Sequence, residues 1–163
     1  KNNNCMPRFR SLTQEELKAL ETEFKQFLII NQLYDKEWRE LAAKDPQKAQ
    51  EFIDLFSDIV LEKTYSKAQG LVQMGRDFIA LFFLQETKWQ FMHFQFQHDI
   101  DAEAHDLTRF LSYLQTHLAS VNIQKGVKNA PANKAEAVHQ IIAQGAQLLN
   151  TEMTEKISVF FQD

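Results

Sequence analysis

Residues 77–96 read D-F-I-A-L-F-F-L-Q-E-T-K-W-Q-F-M-H-F-Q-F and constrain the fold more than any other stretch. They hold six of the chain's fourteen phenylalanines and one of its two tryptophans, with a polar break at Gln85-Glu86-Thr87-Lys88. Runs rich in aromatic residues and bounded by polar turn residues read as strands, so the segment predicts an antiparallel hairpin. Phe78, Ala80, Phe82 and Leu84 then share one face, and Ile79, Leu81 and Phe83 the other. In the second strand Gln90, Met92, Phe94 and Phe96 alternate with Trp89, Phe91, His93 and Gln95. Both faces of the first strand are apolar, as expected of a strand covered from both sides. Gly70 and Gly75 bracket an earlier candidate strand over residues 71–74, which would extend the hairpin to a three-stranded meander over about 71–96. One long helix competes with this reading, because Phe78, Leu81, Phe82, Gln85, Trp89, Met92 and Phe96 fall near a heptad stripe. The aromatic density, the early glycines and the polar break favour strands.

Helical patterns flank the hairpin. Thr13 and Glu16 have the spacing of a capping box, with Leu12 and Leu17 placed as a hydrophobic staple. Leu17, Leu20, Phe24, Phe27 and Leu28 follow as one apolar stripe, ending near Asn31. Asp35 opens a short helix with Trp38 and Leu41. Asp45-Pro46 opens a longer one, with proline where a helix can spare an N–H. Glu51, Asp54, Asp58 and Glu62 lie off its apolar stripe and read as a solvated face. Beyond the hairpin, Asp101 begins a helix striped by Ala104, Leu107, Leu111, Leu114, Leu118 and Val121. Residues 122–133, with Gly126, Pro131 and nearby lysines, read as an exposed loop. Asn133 and Glu136 cap a last helix that reaches Phe160, with a break near Asn150-Thr151. The expected fold is α+β: N-terminal helices, a small antiparallel sheet, and two C-terminal helices. It is expected as one domain over residues 1–163, with a flexible segment over 1–10.

Composition sets the class. At 163 residues, with 44% hydrophobic and 25% charged, the chain is soluble and globular in character and would bury roughly 70% of its unfolded surface. A net charge of −4, with both signs dispersed, argues against nucleic acid as a partner. The longest apolar run, residues 78–84, is far short of the ~20 that span a bilayer, so no membrane partner is expected. The single cysteine, Cys5, cannot close an internal disulfide. No charged segment followed by an apolar one opens the chain, so a cytoplasmic setting is expected. Met6 is either an original start or part of a longer chain; the sequence leaves both open.

Pro7-Arg8-Phe9-Arg10-Ser11-Leu12-Thr13, Leu20-Glu21, Glu23-Phe24, Phe27-Leu28, Trp38, Asp45-Pro46 and Phe56-Ser57-Asp58-Ile59-Val60 occur in that order. In them the chain resembles a family of small uncharacterised proteins from Bacteroidetes-type bacteria, in which helices precede a strand-turn-strand unit. The resemblance covers about the first 60% of the chain, to Phe96. It implies the hairpin and a bacterial cytoplasmic protein. It brings no function, because the family has none assigned.

No catalytic residue is assigned from the sequence. Histidines and carboxylates gather at His93, His98, Asp99, Asp101, Glu103 and His105. Imidazole and carboxylate together can hold a divalent ion, with His93, His98, Asp99 and His105 the candidate ligands of a metal-dependent enzyme. The spacing fits no zinc or calcium box, and acidic residues near a helix start have an ordinary role against its dipole. Cys5 has no identifiable base beside it. The four glycines fall in no phosphate-loop spacing. The leading expectation is therefore a non-enzymatic binding or protein-interaction domain, without a cofactor and self-associating as a homo-oligomer. Its ligand or interface candidates are Trp89, Phe91, His93 and Gln95, where surplus aromatics could line a pocket for an unidentified small molecule or a subunit seam.

Overall fold

A computed structural model describes residues 6–162. The fold is α+β, and the chain divides into two compact units, one up to residue 64 and one from residue 65 on. Cys5 lies outside the described residues.

The first unit is helical: α1 (Gln14–Ala19), α2 (Glu21–Ile30), α3 (Asp35–Lys44) and most of α4 (Pro46–Ser66). Thr13 and Glu16 form the capping box in full, each side chain bonding the other's backbone N–H. Asp45 caps α4 by accepting the Lys48 N–H at 3.0 Å. Phe24 packs edge-on against Trp38, with ring centroids 5.4 Å apart, and both Phe24 and Phe27 tilt against Phe56.

The acidic row of α4 does more than face water. Asp58 accepts the backbone N–H groups of Arg8 and Phe9 at 2.9 and 3.1 Å. Asp54 accepts from the Ser11 hydroxyl, and Glu62 pairs with Arg8 at 2.9 Å. The Leu12 N–H donates to the buried Ser57 hydroxyl, and Phe9 and Leu12 are buried. Residues 8–12, of which 8–10 fall in the segment expected to be flexible, are thus bonded along α4. Carboxylates spaced about one turn apart suit this, because each can accept N–H and O–H groups from a segment passing alongside.

The second unit is built on a five-stranded antiparallel sheet: β1 (Gly70–Met74), β2 (Phe78–Leu84), β3 (Lys88–Phe96), β4 (Val121–Asn129) and β5 (Gln147–Leu148). Their order is β4-β3-β2-β1-β5. The expected hairpin is β2–β3, closed by Gln85 to Lys88, and β1 makes it a meander. The sheet is larger than two or three strands. Residues 122–129 are not loop but most of the edge strand β4, which pairs with β3 along its whole length. The helix expected to continue to Val121 is instead α5 (Leu107–Thr116), capped by Asp106 and followed by a short 3-10 turn. The last helix divides as well. α6 (Lys134–Ala143) ends before Gly145, whose φ of +108° suits glycine, and α7 (Thr151–Ser158) restarts on the Asn150 cap.

Register sorts the sheet's two faces. Val72, Ile79, Leu81, Met92, Phe94 and Phe96 face α5 and α7, where Leu107, Phe110, Leu114 and Ile157 complete the core. Phe94 meets Phe110 edge-to-face at 5.2 Å, a favoured aromatic geometry. On the opposite face α6 lies against the sheet, tied by the Gln73 amide donating to the Gln144 carbonyl at 2.8 Å. No helix among the described residues is long and apolar enough to cross a membrane.

Candidate functional site on the outer ribbon of the sheet

The residues singled out in β3, Trp89, Phe91, His93 and Gln95, all stand on the α6 face, because strand side chains alternate. They do different things. Trp89 is buried, at 2% exposure, and its indole N–H has no hydrogen-bond partner among the described residues. The Lys128 ammonium lies over the Trp89 ring, 5.4 Å from its centroid, and Lys128 is Trp89's partner across the β3–β4 ladder. Phe91 is 39% exposed and crosses Gly126. His93 stacks on Phe78 at 5.1 Å. Gln95 turns its amide back onto the carbonyls of Asp77 and Phe96, so it closes the open end of the hairpin. Trp89 and Phe91 face a cavity of about 320 Å³; Phe82 adds to its sheet wall, and Gln140, Ile141 and Gln144 of α6 form the other side.

The four candidate metal ligands are spread over separate contacts. His98 Nε2 meets the Tyr113 hydroxyl at 3.0 Å, and Asp99 pairs with Arg76 at 2.8 Å. His105 Nε2 meets the Gly75 carbonyl at 3.2 Å, while His93 lies on the Phe78 ring. Among the described residues no three His, Cys, Asp or Glu side chains converge on a point where a metal ion could sit. Closeness in sequence failed as a guide because residues 97–106 change direction repeatedly between β3 and α5. The nearby carboxylate of Asp106 serves α5: it accepts the Arg109 and Thr108 N–H groups, which hold its pKa below the usual range.

Sequence reasoning missed the outer half of the ribbon. The bonds that flank the β3–β4 ladder, Gln97 N–H to Ser120 and Ala130 N–H to Thr87, use even-numbered positions of the second strand. Antiparallel ladders alternate, so Asn122, Gln124, Gly126 and Lys128 bond to β3. Val121, Ile123, Lys125, Val127 and Asn129 therefore turn their N–H and C=O groups to the outer edge, where no further strand follows among the described residues. Ile123 and Val127 are 42% and 64% exposed. The period-two spacing of Val121, Ile123 and Val127 is the signal that could have found this strand. The opposite edge is β5, only two residues long, a common way to blunt a sheet edge.

A family model described as a family of unknown function, DUF6495, matches residues 6–162. The chain belongs to that family. The match runs well beyond Phe96, where the resemblance read from the sequence stops, and takes in β4 and α6 of this DUF6495 protein. No curated protein and no solved structure matches the chain.

Proposed function

We propose that this chain is a non-enzymatic interaction domain that pairs with a second copy of itself along the outer edge of β4, as a bacterial cytoplasmic protein. The observation that carries the reading is the run of five outward-turned backbone positions from Val121 to Asn129, flanked by exposed Ile123 and Val127. A long edge without proline or bulge is a template for another strand, and closing it against a copy removes the liability. Register can be argued from charge. Pairing centred on Lys125 would set that lysine against its own copy, which is unfavourable. A shift centred on Gln124 sets Val121 against the second copy's Val127 and Ile123 against its Lys125, so no like charges oppose. An enzymatic role is not part of the reading, because His98, Asp99 and His105 are engaged separately.

Light scattering tests it. Wild type should run at twice the chain mass. Lys125→Pro removes an outward N–H that the β3–β4 ladder does not use, so the variant should be monomeric with an unchanged circular dichroism spectrum. A wild-type monomer at high concentration, or a dimer that survives Lys125→Pro, would overturn the proposal.

A further inference from the structure

We infer that the cavity between α6 and the β3–β4 ribbon is a binding site for a small aromatic carboxylate. The cavity is about 320 Å³, at the small end of ligand pockets, and its walls are mostly apolar: Phe82, Trp89, Phe91 and Ile141. Against that apolar lining stand one cation and the amides of Gln90, Gln140 and Gln144, which can donate or accept. Among the described residues Lys128 is the one charged side chain in the lining, and no carboxylate lines the cavity to neutralise it. Its ammonium rests on the Trp89 ring, a contact weaker than a charge-assisted hydrogen bond.

A ligand suited to this site has a flat apolar body for the aromatic walls and an anionic acceptor for Lys128. A carboxylate supplies both the negative charge and the acceptor oxygens. Neutral aromatics would fill the same space but leave the ammonium without an anionic partner. Cations are disfavoured by Lys128 itself. The site uses side chains on the α6 face and no part of the outer edge of β4, so it stands or falls apart from self-association.

Naphthoate and its neutral amide, naphthamide, discriminate. The probes are titrated into the intact protein while the Trp89 indole N–H resonance is followed by NMR. Naphthoate should shift that resonance saturably, and naphthamide should bind about tenfold more weakly. Lys128→Met, at an exposed position, should weaken naphthoate to the level of the amide and leave the amide unchanged. Equal binding of the two probes in wild type would overturn the carboxylate assignment while leaving a pocket for neutral aromatics. No shift of the Trp89 resonance with either probe would overturn the site itself. Neither result bears on the mass measured by light scattering.

Discussion

Phe91 lies across Gly126, its direct partner in the β3–β4 ladder: a Cβ built on Gly126 would stand 1.9 Å from the Phe91 ring. The glycine gives the ring a floor, and the ring covers a backbone that glycine leaves bare, a pairing known to support glycines in sheets. Gly126→Ala should push the ring outward rather than break the strand, because Phe91 is partly exposed and can rotate. The loss should be about 0.5–1 kcal/mol, the scale of one cross-strand pair. Urea denaturation of Gly126→Ala, Phe91→Ala and the double variant checks this. The double variant should be less unstable than the sum of the singles, and strict additivity would show that the two residues do not communicate.

The capping box of α1 makes a pH prediction. Arg10 and the Thr13 N–H bond the Glu16 carboxylate and bring its pKa from 4.5 to about 2. A pKa lowered by folding stabilises the fold above the unfolded value, so the contribution is present above pH 4.5 and fades as pH falls toward about 2. Both partners are well exposed, so salt should shrink the effect. Thermal unfolding across that window should be flatter for Glu16→Gln than for wild type. Parallel curves would remove Glu16 from the acid response. Thr13→Ala should cost about 1 kcal/mol at neutral pH, the usual value of a lost N-cap.

The bonds from Asp58 to the Arg8 and Phe9 amides predict protection of the N-terminal segment. Asp58→Ala removes both acceptors and should expose Arg8 and Arg10 to trypsin. Cleavage after Arg10 should become faster than in wild type at the same enzyme ratio. Equal rates would mean that burial of Phe9 and Leu12 holds the segment without help from Asp58.

Phe110 is fully buried against Phe94 and Phe96. Phe110→Ala removes a whole ring from a packed core and should cost about 3–5 kcal/mol. That is a large part of the stability of an ordinary domain, so the variant should unfold at a much lower urea concentration. Phe110→Leu, which keeps much of the volume, should lose far less. Similar losses from the two variants would mean that this position is poorly packed.

Legibility in the sequence followed how local each signal was. The capping box at Thr13, the Asp45 and Asn133 caps and the β2–β3 hairpin were readable because their determinants lie within a few residues of one another. Strand β4 was not, because an edge strand draws its order from a neighbour. Val121, Ile123 and Val127 are too few to declare it beside Gly126 and two lysines. The stripe from Ala104 to Val121 even continued at helical spacing into residues that β3 recruits as a strand. Pairing with an existing strand outweighed that weak local pattern.

The candidate site divides in the same way. Sequence alone determined that residues 78–96 form the aromatic centre of a sheet, and alternation alone put Trp89, Phe91, His93 and Gln95 on one face. Only the tertiary structure decided what meets that face: Lys128 over Trp89, Gly126 beneath Phe91, Phe78 against His93, and α6 closing a cavity above them. It also separated His98, Asp99 and His105, which sequence had gathered. The physical reason is range. Period and capping act between neighbours in the chain, whereas a site needs side chains from distant segments, and their meeting is fixed by sheet order and packing.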